Sequence, residues 1–445
     1  MENQPDPKAV TPNSTVEGAK EPKMDPWDPI MGSHQSFLND LECIGEMVDL
    51  VLPVLKKRDQ ERDQRIKELT EEIKTEKGSG FKIKWGTDIK EVLGHMQKMR
   101  HGDRMFRQGV VTSVVSKFDE FIIDVLKTSY RQNPVWLKNP DKKISYKELL
   151  EISSLDSFKD EIVAKEIDAL MRDSHLLQVT FLDSNLKLGI EKEFPGWLDF
   201  LEITERRNLF VHTGGAVSPQ YLDNCGKWKI ILDKRVKEGV HLSATDDYIR
   251  KTIDCFYELS VRVVQASVRR MFPKCFSEVD NILNNRTVDL LSEERWGLAD
   301  RIFTFALGIP DNLMSKGGYK YYFLLNRCIA RKFSGEDFAA DLHSIDWSPF
   351  HPKYHFAVAV LEDRFDDAEK LMRSEVVRDE VDEQSFKEWP LLREFRNTDL
   401  FLRAYKDIFG KDFNEQLLDD AAKEIEAQQG GELYDYYVGA GAPAA

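Results

Sequence analysis

Cysteine is scarce in this sequence and scattered: Cys43, Cys225, Cys255, Cys275 and Cys328 are the only five, and no two form a C-x-x-C pair. An odd number of isolated thiols argues against a disulfide framework or a zinc ribbon and fits reduced, mostly buried side chains in a cytosol. Long apolar runs are also missing. Nowhere do the roughly 18 uninterrupted apolar residues of a membrane span occur. The start, Met1-Glu-Asn-Gln-Pro-Asp-Pro, has neither a basic n-region nor an apolar h-region, so a cytoplasmic protein with no membrane partner is expected. There is no G-x-x-x-x-G-K-[ST], no Rossmann fingerprint, no G-x-S-x-G and no kinase signature. Lys77-Gly-Ser-Gly80 lacks the strand-to-helix context of a phosphate loop. His351 and His355 have the i, i+4 spacing that can hold zinc, but no third ligand accompanies them. No metal and no cofactor is therefore expected.

Basic residues are outnumbered, 63 Lys and Arg against 78 Asp and Glu, for a net charge of −15. The molecule as a whole cannot attract nucleic-acid phosphates over a distance, so any such site must be a local basic patch. What the chain does have is 41% hydrophobic and 11% aromatic content over 445 residues. That is ample for a sizeable core, and about three units at the usual ~150 residues per domain.

Residues 1–34 are rich in Pro, Asn, Lys and Asp and poor in large apolar groups, which predicts a disordered tail; 429–445, rich in Gly and Ala, predicts a second. Over 35–89 the spacing predicts an amphipathic, partly coiled-coil-like helix and linker, apolar from Leu38 to Leu52 and bent near Pro53, with Ile66, Leu69 and Ile73 continuing the stripe. Its charge run reads as a solvated face. Residues 90–275 repeat the helical period over Val110–Ser129, Phe158–Arg172, Trp197–His212 and Asp247–Met271, as expected of a bundle whose stripes bury one another. Lys227–Leu232 is the only strand-like piece. From 276 to 428 the helices shorten and pair, with a self-similarity near thirty residues that suggests a loosely tetratricopeptide-like stack. The expected fold class is all-α.

The segment that carries chemistry is Trp197–Gly215. Leu198, Leu201, Leu209 and Val211 fit a buried helix, and Gly214-Gly215 supply a left-handed stop. Arg207, Asn208 and His212 lie inside it. Asn208 and His212, four apart, share a face, while Arg207 and His212 are about 140° apart on an ideal helix and can converge on one group near a fraying end. Histidine titrates near neutrality and suits proton transfer. Arginine's planar fork can brace two phosphoryl oxygens. The competing reading pairs Arg207 with a carboxylate, Glu202 or an acid on the first bundle helix, and leaves His212 as a helix cap.

Arg207-Asn208-Leu-Phe-Val-His212 resembles the R-N-x-x-x-H form of the signature of HEPN domains, with the following Gly-Gly and Val217-Ser-Pro219 similar to the loop often seen after it. The resemblance covers roughly residues 100 to 275. It implies a four-to-five-helix bundle and metal-independent RNA cleavage, with Arg207, Asn208 and His212 catalytic. It also implies a homodimer that places two Arg/His sets across a shared cleft, and the setting of a prokaryotic toxin or phage-defence effector. The products would be a 2′,3′-cyclic phosphate and a 5′-hydroxyl.

Lys98, Arg100, Arg104 and Arg107 form a local basic stretch with Phe106 among them, a candidate RNA track, and Arg206 is a further candidate contact. A protein or peptide partner is expected at the C-terminal helices, in a groove lined by Trp296, Tyr319, Tyr321, Tyr322 and Trp347. Two rival readings stay open: a non-catalytic interaction or dimerisation protein, and a nucleotide-sensing regulator.

Overall fold

A computed structural model describes residues 25–75, 78–83, 89–136, 154–316 and 318–414; the expected tail over 429–445 and most of that over 1–34 lie outside them. The fold is all-α apart from one hairpin. The first helix, α1, spans Asp28–Leu69 with Pro53 inside it. It therefore begins within the stretch read from sequence as a tail, and the reason is local: Ile30 is fully buried and Trp27 and Met31 pack against the core. Beyond α1, Thr70–Thr75 (β1) and Gly78–Ile83 (β2) pair antiparallel, Thr70 facing Ile83. Ile73 thus lies on a strand rather than on the helix, in a stretch whose β-branched Thr70 and Thr75 favour extended chain and whose following glycines disfavour helix.

The bundle follows as α2 (Ile89–Gln132), α3 (Leu155–Met171), α4 (His175–Leu186), α5 (Trp197–Thr213), α6 (Pro219–Lys227) and α7 (Asp246–Met271). Helix α2 packs against α1, α3, α5 and α7. Aromatic rings fill the centre: Phe37 of α1 stacks on Phe121 at 5.5 Å, Phe118 meets Phe256 edge-on at 5.0 Å, and Phe200 joins both Phe118 and Phe256. Such pairs add about 0.5–1.5 kcal/mol each beyond the area they bury. Phe200 anchors the first half of α5 in this core and leaves its second half to reach the surface. Trp228–Leu232 forms no strand: α6 ends at Lys227, Lys229 turns with φ +57°, and Ile231 is exposed.

The C-terminal helices are α8 (Phe276–Ser292), α9 (Trp296–Leu307), α10 (Tyr319–Ser334), α11 (Pro352–Leu361), α12 (Phe365–Met372) and α13 (Asp399–Phe409). Helices α8 and α9 lie against α7, and one apolar cluster runs without a break from Ile30 to Phe413. The four-residue helix Ala339–Leu342 follows α10, and α12 follows α11. No helix among the described residues is long and apolar enough to cross a membrane.

Candidate active-site cleft

Helix α5 owes its end to two glycines. Gly214 adopts φ +61° and Gly215 φ +92°, and the Gly215 amide donates to the Leu209 carbonyl at 3.0 Å, a Schellman closure. The last two turns before it carry Arg207, Asn208 and His212. All three line a cleft of about 500 Å³ bounded by the α3–α4 turn, the second half of α5 and the start of α6. Asp119 of α2 forms part of its wall, with Arg172, His175 and Gln178.

Within the cleft, Nη1 of Arg207 donates to Oδ1 of Asn208 at 3.3 Å, and its Nε is buried with no partner. Among the described residues no carboxylate pairs with Arg207, although Glu205 and Asp119 line the same cleft. Asn208 therefore steadies the guanidinium rather than the imidazole. The His212 ring is exposed at the mouth. The flanking apolar positions divide: Leu201 and Leu209 are buried as expected, whereas Leu198 and Val211 are exposed.

Glu202 does find an arginine, but it is Arg206. Its Oε1 accepts from Nε of Arg206 at 2.7 Å and from the Tyr221 hydroxyl at 2.6 Å, and its Oε2 accepts from the Tyr248 hydroxyl at 2.7 Å. The Arg206 guanidinium lies 4.2 Å from the Tyr248 ring centre. Burial and the Glu202 carboxylate push both phenols well above the usual tyrosine range, so they stay protonated donors. Arg206, expected as an RNA contact, is absorbed by this network and does not line the cleft.

The basic stretch on α2 fares similarly. Arg107 donates to Asp103 at 2.8 Å, to Asp246 at 2.5 Å and to the Ala244 carbonyl, which ties α2 to the start of α7. Arg104 bonds the ring of His101. Neither lines the cleft. Lys98 and Arg100 sit in α2, but their side chains lie outside the described residues.

One feature of the cleft had no signal in the sequence. His175, the first residue of α4, places Nε2 3.0 Å from Oδ1 of Asp119, 56 residues earlier in the chain. No local spacing joins them; only the packing of α4 and α5 around α2 does.

His351 and His355 are turned apart. Nδ1 of His351 accepts from the Lys353 amide and His355 bonds the Trp347 carbonyl at 2.8 Å, and no metal-ligand cluster occurs among the described residues.

A second cleft of about 590 Å³ opens among α8, α10, α11 and residues 380–390. Of the five aromatics expected to line a groove, only Tyr322 does. Trp296 packs on Phe333 at 5.0 Å, Tyr321 and Trp347 on Phe350, and Trp347 bonds the Leu342 carbonyl. Tyr354 and Trp389 take their place beside the acidic Asp289, Glu380, Asp382 and Glu388.

Comparison with family models finds no match, and comparisons with curated proteins and with solved structures find none either.

Proposed function

We propose that this chain is a metal-independent endoribonuclease of HEPN type, which cuts RNA in the α5 cleft by attack of a 2′-hydroxyl on the adjacent phosphorus. The observation that carries the reading is that Arg207, Asn208 and His212 line one cleft while Arg207 has no carboxylate partner among the described residues. A guanidinium with no such partner, in a cleft that Asp119, Asp173 and Glu205 also line, is free to take an anion from outside. A phosphodiester in the cleft gives the fork the two oxygens it fits. Charge builds on those oxygens as the phosphorane forms, so Arg207 acts most strongly in the transition state. Asn208 holds the fork in place. His212, exposed along the cleft, supplies proton transfer.

RNA is the proposed substrate. A second copy of the chain, joined through the bundle of residues 90–275, is a proposed partner on the resemblance. A protein or peptide partner is proposed for the acidic C-terminal cleft. The role of toxin or phage-defence effector is proposed from the resemblance alone.

The test is cleavage of tRNA, rRNA and single-stranded oligonucleotides in EDTA by wild type, Arg207→Ala and His212→Ala. The reading expects EDTA-resistant cutting that falls by about 10²–10⁴ in each variant, the range for removing an acid–base or charge-stabilising group. Unchanged rates in both variants would move the activity elsewhere.

A further inference from the structure

Asp119 and His175 lie outside the sequence string that leads to the cleft, yet both line it. Their side chains are 24% and 11% exposed, largely withdrawn from solvent but open to the cleft. A carboxylate only accepts hydrogen bonds, so the proton in the 3.0 Å contact lies on Nε2 of His175. In the neutral ring the lone pair is then on Nδ1, which makes that atom a base. One turn along α4, Gln178 donates to the carbonyls of Met171 and Asp173, while its Oε1 is buried with no partner.

We propose that His175, oriented by Asp119, is a second catalytic imidazole of this cleft, so that a single chain holds a complete acid–base pair for cutting RNA. The proposal rests on the endoribonuclease reading. Nδ1 of His175 takes the 2′-hydroxyl proton as the 2′-oxygen forms its bond to phosphorus. Asp119 balances the imidazolium that results. His212 gives its proton to the 5′-oxygen as the bond from phosphorus to that oxygen breaks, its electron pair leaving with the oxygen. A 2′,3′-cyclic phosphate and a 5′-hydroxyl are formed, with no atom gained or lost, and exchange with water returns the proton from His175 to His212. With two imidazoles in one cleft, the acid–base chemistry is complete within one chain.

The alternative role for the pair is a structural staple between α2 and α4, and the variants are chosen to separate the two. His175→Gln keeps a donor for Asp119 but cannot carry a proton. Cleavage of a single-stranded RNA oligonucleotide in EDTA is compared among wild type, His175→Gln, His175→Ala, Asp119→Asn and His212→Ala, with melting temperatures alongside. The expected result is a loss of about 10²–10⁴ in kcat for His175→Gln at an unchanged melting temperature. Free imidazole restores part of the activity of His175→Ala, and Asp119→Asn lowers kcat with KM unchanged. Wild-type kcat in His175→Gln while His212→Ala is inactive overturns the proposal and leaves the ribonuclease reading standing. If wild type cuts no oligonucleotide, the His175 imidazole resonance in the presence of a 2′-deoxy oligonucleotide decides. Movement of that resonance places His175 against the bound backbone, and an unmoved resonance overturns the proposal.

Discussion

Arg206 and Arg207 are adjacent in the chain and serve different faces of α5: Arg206 closes on Glu202 at 2.7 Å, while Arg207 lines the cleft and, among the described residues, its side chain bonds only Asn208. About 100° of helix rotation separates them, enough to give one to the buried tyrosine–carboxylate network and the other to the site. Two residues of the same type thus divide between a buried network and the cleft.

Loss of Arg206 should therefore be felt as instability. Both partners of the Arg206–Glu202 pair are mostly buried, and removing one leaves the other uncompensated, at a cost of about 3–5 kcal/mol. Arg207→Ala, whose Nε makes no hydrogen bond, should change stability by no more than about 1 kcal/mol. Denaturant unfolding of the two variants measures this contrast; equal losses in both would show that Arg207 also supports the fold.

The two glycines that close α5 should respond unequally to alanine. At Gly214 a Cβ meets nothing within 4 Å, so Gly214→Ala bears only the left-handed backbone, about 1–2 kcal/mol. At Gly215 a Cβ would stand 2.8 Å from the Leu242 carbonyl oxygen and 2.9 Å from Nε2 of Gln108, and Leu242 cannot move aside without straining the bond that its own amide donates to the Gly215 carbonyl. Gly215→Ala should lower the melting temperature more than Gly214→Ala; the reverse order would contradict the geometry.

His34 sets a pH dependence. Buried between α1 and α7, 3.2 Å from the Ser260 hydroxyl, its imidazole is lowered from 6.5 to about 3 by burial, with the Arg286 charge adding to the effect. Below pH 6.5 the unfolded chain binds a proton that the folded chain refuses. Stability from this group is thus complete above that pH and falls by about 1.4 kcal/mol per pH unit as pH drops toward 3. Between about pH 7.5 and 5, wild type should lose roughly 2 kcal/mol more than His34→Gln, measured by denaturant unfolding. Parallel losses in the two proteins would mean that His34 does not carry the effect.

Much of this was legible in the sequence, and the physical reasons for what was not are specific. Phe158–Arg172, Trp197–His212 and Asp247–Met271 stand out as helices because their apolar residues keep one face over several turns, and the structure places helices there. The hairpin at Thr70–Ile83 was hidden because Ile66, Leu69 and Ile73 extend the helical period across the boundary. The start of α1 was hidden because so few apolar residues, Trp27, Ile30 and Met31, hold it. At the site, the glycine stop and the shared face of Asn208 and His212 could be read locally. The i, i+4 spacing of Glu202 and Arg206 also anticipates the pair that they form. Asp119 and His175 could not be found this way, because nothing local relates residues brought together only by helix packing.

The most direct measurement maps the ends left when wild-type protein cuts RNA in EDTA, with His212→Ala as control. The account predicts 2′,3′-cyclic phosphate and 5′-hydroxyl ends that disappear in the variant. Ends bearing a 5′-phosphate and a 3′-hydroxyl, or cyclic-phosphate ends that persist undiminished in His212→Ala, would contradict it.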